Sequence, residues 1–279
     1  MSQTDLTNGR VSTALARLTA PMMMGVSSSI LVQVLEMGFI GQLSTAHVAA
    51  ITFTFPLTMV LTSIALGISI GTSSVIARSV GQQSRSKSYT DDVQRLGTHS
   101  LVLVTVAMSL LAALCWFSLD VLFIALGASP EMLPLIHSYL DIYLPGSIFF
   151  TASMILGSIM RANGSATTPG VVMTVGSLIH LLLDPIFIFG WFGMPAMELT
   201  GAATAMTVTR FGTLIVIMIF VWKRQMILRG DHFRAFFEST RRILHVGLPA
   251  IATNLIGPIT AAYITRLMAS YGETAVAGF

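Results

Sequence analysis

Apolar runs of twenty or more residues alternate along this chain with short polar stretches. Seven such runs stand out, roughly Leu15–Ile40, His47–Ala77, Leu96–Phe117, Leu133–Met160, Pro169–Gly190, Met197–Trp222 and Leu244–Met268. About 20 apolar residues in a helix cross a hydrocarbon core of about 30 Å. The second and fourth runs exceed that length, which predicts tilt or a polar extension. The runs are near-continuous and lack the period-two alternation of a membrane barrel. Backbone amides have no water to bond in lipid, so the remaining solution is an all-α, polytopic membrane helix bundle. Composition agrees: 54% of the 279 residues are hydrophobic and 10% are charged, against about 25% charged in a typical soluble domain.

The basic residues carry a second pattern. Arg10 and Arg17 belong to the N-terminal arm and the very start of the first run, Arg78, Arg85, Lys87 and Arg95 follow the second, Arg161 follows the fourth, and Lys223, Arg224, Arg229, Arg234, Arg241 and Arg242 follow the sixth. The connections after the first, third and fifth runs have none. Under the positive-inside rule this alternation predicts a multi-pass protein of the cell inner (plasma) membrane with a cytoplasmic N-terminus. It also accounts for the net charge of +3 without nucleic acid, leaving the lipid bilayer as the expected partner. Met1–Thr13 lacks the short apolar region and cleavage site of a signal peptide. Lys223–Arg242 interleaves basic residues with His232, Phe233, Phe236 and Phe237 and reads as an amphipathic interfacial helix linking two lobes.

An internal echo suggests those lobes. With Pro21 set over Pro249, Leu15–Pro21 lies over Ile243–Pro249 and Val48-Ala49 over Val276-Ala277. Repeated halves are a recurrent transporter architecture. The expected organisation is a six-helix lobe over 1–222, a cytoplasmic linker over 223–242, and over 243–279 the first helix of a second lobe. That lobe would be completed by further sequence or, less favourably, by another copy of the chain.

Two acids interrupt the apolar runs. Glu36 lies in the first and Asp184 in the fifth. A carboxylate at bilayer depth costs about 2.5–3.5 kcal/mol on insertion scales, so it is expected to face a partner, a cavity or an ion path. His180 stands four residues before Asp184 on the same helical face. Histidine titrates near neutral pH and beside a carboxylate can share or relay a proton. Pro185 removes a backbone donor there and can kink the helix. Arg210, inside the sixth run, is a cation able to neutralise either acid. Gly67 and Gly71, four apart, form a small-residue face for close packing or bending. Asp141 is expected at the outer mouth, and Arg161 as an interfacial anchor beside a turn at Asn163-Gly164. The 17 methionines, with Met22-Met23-Met24 clustered, suit an adaptable cavity, and Phe53, Phe55, Phe149 and Phe150 are candidate linings.

Val34-Leu-Glu-Met-Gly-Phe-Ile-Gly-Gln-Leu43, Ile64–Arg78 with Gly81, Gly157–Pro169, Leu183-Asp-Pro-Ile-Phe-Ile-Phe-Gly190 and Gly201-Ala-Ala-Thr-Ala205 occur in order. This set resembles the MATE (multidrug and toxic compound extrusion) transporters, and its Asp-Pro form is closer to the DinF-like branch. The resemblance implies a secondary active antiporter, with small organic, often cationic drugs or xenobiotics exported against protons or sodium ions. It implies a coupling site at Glu36, Asp184, His180 and Arg210, with sodium, if used, at the two acids. Glu36 stands where the family usually has Asp, and His180 where Asn is common.

No Gly-Lys-Ser/Thr phosphate loop, metal-ligand cluster or catalytic triad is apparent, so no cofactor beyond the coupling ion and no enzyme activity is expected. Two alternatives remain at this level. A lipid-linked oligosaccharide flippase of the same superfamily would need several cavity cations, whereas only Arg210 and Arg266 are available. A non-transporting membrane scaffold would tolerate replacement of the buried acids.

Overall fold

A computed structural model of the chain describes residues 11–82, 89–227 and 235–278. Each apolar run is one long helix: α1 (Val11–Gly41), α2 (Thr45–Gln82), α3 (Tyr89–Ala125), α4 (Leu133–Ala162), α5 (Thr167–Phe189), α6 (Glu198–Lys223) and α7 (Phe236–Ala269). All seven are long and apolar enough to cross a membrane, and there is no strand among the described residues. A 3₁₀ turn at Trp191–Gly193 follows α5, and a short helix, α8 (Glu273–Ala277), follows α7.

Helix α3 extends beyond the expected Leu96–Phe117 at both ends because its charged and polar ends find partners. Arg95 pairs with Asp92 at 2.5 Å. At the other end His137 of α4 bridges Asp120 of α3, at 2.7 Å, to Asp141. The linker also differs from expectation. Phe236–Arg242 already forms the first turns of α7, whose Phe236 ring meets His99 edge-on while Ser239 hydrogen-bonds that histidine at 2.9 Å. Residues 228–234 of the expected amphipathic helix lie outside the described residues.

Burial separates inner from outer helices. In their most apolar stretches α2 and α4 are 61% and 67% buried, against 17–28% for the other five. Helices α3, α4 and α7 pack on α2, α6 packs on α4, and α5 joins α6 to α1. The outer helices turn apolar side chains outward: Leu110, Leu114, Phe117 and Val121 of α3 are 66–81% exposed. Their spacing makes one helical stripe, which only lipid or further protein can cover. The close α2–α7 packing depends on missing side chains. An added Cβ at Gly71 would stand 2.4 Å from the Ile243 carbonyl oxygen, and one at Gly67 would stand 2.2 Å from Ile251 Cγ1. Ser63 adds a hydrogen bond to the Asn254 carbonyl at 3.1 Å.

At the α4–α5 turn the expected positive-φ residue is Gly164, at 79°. Helix α5 runs unbroken through Pro185 and stops at Gly190, where φ is 75°. The alignment of Pro21 with Pro249 has a structural counterpart. In the same register Gly41, the last residue of α1, meets Ala269, the last of α7; Thr45, the first of α2, meets Glu273, the first of α8.

Candidate cation and substrate site

Helices α1 and α5 run side by side in matched register. Gly170 lets them touch, since an added Cβ there would be 2.4 Å from the Pro21 carbonyl oxygen. One turn on, Gly25 abuts Met173. Another turn on, the hydroxyls of Ser29 and Ser177 hydrogen-bond at 3.0 Å. Continuing that face by helical steps of three and four brings α1 to Glu36 and α5 to His180 and Asp184. The three side chains each offer a ligand atom within 4.8 Å of the others.

Glu36 is 6% exposed and Asp184 is fully buried. His180 Nε2 lies 3.2 Å from Asp184 Oδ1, but out of line for a hydrogen bond. Glu36 Oε1 and both Asp184 oxygens have no hydrogen-bond partner. Buried polar groups are nearly always satisfied, and buried charge without a partner is costlier still. The arrangement can receive positive charge, as protons on the acids or as a small cation between them. Its chemistry is asymmetric: two oxygen-bearing groups and one ring nitrogen. Sodium, like other hard cations, prefers oxygen ligands, whereas a proton is held equally well by imidazole.

The cluster opens into a cavity of about 660 Å³ bounded by α1, α2, α4, α5 and α6, with Pro258 of α7 at its edge. The volume lies within the range of organic-ligand pockets, about 300–1,000 Å³. Met37, Met59, Met173 and Met206 line it together with Phe55 and Phe150.

The MatE family model matches residues 21–186, the segment that holds this whole cluster. The chain belongs to the MATE family. Among curated proteins it is 31% identical to the FAD transporter of Shewanella oneidensis, over 98% of this chain and 60% of that protein. It is 26% identical to the multidrug export protein MepA of Staphylococcus aureus, over 95% of this chain and 58% of that one. The chain thus spans about 60% of the length of the curated relatives it matches. Among solved structures, the Vibrio cholerae MATE transporter VcmN in its bent form superposes with a TM-score of 0.82 at 29% identity, over 96% of this chain and 59% of that one. A MOP superfamily transporter from Pyrococcus furiosus, whose binding pocket is described as reversed in polarity, gives 0.79 at 27% identity, over 91% and 55%. MATE proteins are transporters and not enzymes.

Within this MATE fold the remaining candidates separate. Arg210 lines the cavity but makes no ion pair with Glu36 or Asp184 within 4 Å among the described residues. Its guanidinium carbon instead lies 4.8 Å from the ring centroids of both Tyr143 and Phe150. Gly67 and Gly71 belong to the α2–α7 seam, outside the cluster. Asp141 is exposed beyond the cavity, accepting the Trp116 indole N–H at 3.0 Å. Of the four candidate phenylalanines, Phe53 is buried in the packed core and Phe149 faces Phe211 at 5.2 Å. Met23 and Met24 point outward, 62% and 65% exposed. Gln33, Tyr139 and Tyr143 line the cavity and were not singled out from sequence. Gln33 could have been: with Ser29 and Glu36 it marks a polar face on an otherwise apolar helix.

Proposed function

We propose that this MATE chain carries the coupling half of a secondary active antiporter, which exports small organic molecules in exchange for cations moving inward. The observation that carries this is the pair of buried carboxylates, Glu36 and Asp184, with oxygens lacking hydrogen-bond partners beside a ligand-sized cavity. A cation arriving there removes an uncompensated charge. Leaving, it restores that charge, so the helices holding the two acids favour different packings in the two states. His180 makes a proton the better fit of the two coupling ions, since it offers nitrogen where sodium would use oxygen. Arg210 lies in the same cavity and raises its positive charge when the acids are protonated. The names of the relatives, one for FAD and one for multidrug export, support an organic substrate.

The lobe division is part of the same proposal: residues 1–222 form one six-helix lobe and 243–279 open a second. The coincident helix ends of α1 with α7 and of α2 with α8 support it, as does the greater length of the relatives. The basic connections support a cytoplasmic N-terminus in the inner membrane, and the Asp184-Pro185 step supports the DinF-like branch.

The test is efflux from vesicles containing the full-length protein, with proton and sodium gradients imposed separately. Glu36→Gln and Asp184→Asn are each expected to abolish gradient-driven efflux while leaving substrate exchange measurable. Full coupled transport in both variants would overturn the assignment.

A further inference from the structure

Arg210 lines the same cavity as the acidic cluster but forms no ion pair with it among the described residues. It is brought there by α6, held on α4 one turn from Thr207, whose hydroxyl bonds the Ile142 carbonyl at 3.3 Å. Tyr143 and Phe150, two turns apart on α4, present their rings to the guanidinium at 4.8 Å each. Aromatic faces attract a guanidinium without neutralising it. They leave its N–H donors free, and Nη1 has no hydrogen-bond partner. Asp184 approaches His180 at 3.2 Å, and no carboxylate lies within 4 Å of Arg210 among the described residues. A guanidinium held against two rings with no carboxylate in contact can receive an anion, and its planar fork suits two oxygens of a phosphate or carboxylate.

We propose that Arg210, braced by Tyr143 and Phe150, receives the phosphate or carboxylate of a flat aromatic substrate whose N–H-donating end faces Glu36 and Asp184. The substrate class is thus dipolar, not simply cationic. Its ring system lies along the Met- and Phe-lined wall between the two poles. Only the donor end competes with the incoming cation for the acids, which keeps substrate and coupling ion mutually exclusive, as exchange requires. The substrate class rests on the transport role proposed above, but the anion contact can be measured without any gradient.

The experiment is equilibrium binding of two flavins to the full-length protein in lipid nanodiscs, read by flavin fluorescence. Riboflavin and riboflavin 5′-phosphate share their ring and its N–H donor and differ in the phosphate. Wild type is expected to bind the phosphorylated form at least about tenfold more tightly, the scale of one charge-assisted contact. Arg210→Gln is expected to bring the two affinities within about twofold of each other, and Arg210→Lys to give an intermediate ratio. A ratio taken on one preparation is insensitive to any misfolded fraction. Equal affinity in wild type, no binding of either flavin, or a preference that survives Arg210→Gln would each overturn the proposal. None of these outcomes bears on coupled efflux, whose failure in vesicles would instead refute the antiporter proposal.

Discussion

Glu36 and Asp184 are conspicuous as residues because each keeps buried carboxylate oxygen without a hydrogen bond. Asp184 has no solvent exposure, and Glu36 sits at 6% with an unpartnered oxygen. Structures retain such groups where function needs them, at the expense of stability. Glu36→Gln is therefore expected to raise the thermal unfolding midpoint, by an amount worth about 1–3 kcal/mol, while eliminating coupling. A lower midpoint in detergent would show that the carboxylate is a structural partner. His180 makes a sharper distinction. His180→Asn exchanges ring nitrogen for an amide oxygen, a better ligand for a hard cation. The ratio of sodium-driven to proton-driven efflux is expected to rise about tenfold or more, a change of about 1.4 kcal/mol in relative preference. An unchanged ratio would remove His180 from the coupling site.

Among the elements, the α1–α5 pair positions the site, and its precision comes from two helices lying almost backbone to backbone. Gly170→Ala places a methyl group 2.4 Å from the Pro21 carbonyl oxygen. Since backbone cannot yield as a flexible side chain would, a loss of about 1–3 kcal/mol is expected, together with impaired transport as Glu36 is displaced from His180. Gly38 lies on the same helix, and an added Cβ there meets nothing within 4 Å. Gly38→Ala should be neutral, or stabilising by about 0.5–1 kcal/mol from the better helix former. Thermal unfolding of the two variants in one detergent checks the contrast. Equal effects would mean that the α1–α5 contact does not govern the pair.

At the scale of the whole chain, the seam between α2 and α7 is where the proposed first lobe meets the helix that follows it. Gly67, Gly71 and Gly247 bring the two backbones together there, and transport between two lobes requires some such contact to open and close. Gly67→Ala would set a methyl group 2.2 Å from Ile251 Cγ1 and 2.8 Å from the Ile251 backbone nitrogen. With backbone in the way, the variant is expected to lose about 1–3 kcal/mol of stability and to lose efflux with it. A wild-type unfolding midpoint and wild-type efflux in Gly67→Ala would show that the two helices need not lie this close.

The seven spans, their helical character and their membrane environment were legible in the sequence because they follow from local composition: a run of apolar residues longer than the bilayer is thick has few other folds open to it. The two acids and the His180–Asp184 spacing were legible for the same reason, as exceptions on an apolar background and as a fixed interval along one helix. Helix ends were less so, since α3 and α7 extend through charged turns that distant partners such as His137 and His99 make tolerable. Tertiary structure alone decided which faces meet. It placed Glu36 of α1 against α5 through glycines far from the acids themselves, and it turned Arg210 towards two aromatic rings instead of a carboxylate. It also sent Met23 and Met24 outward while bringing four other methionines into the cavity. A sequence records what each helix can bury; which neighbour it buries it against depends on shape complementarity between surfaces that are remote along the chain.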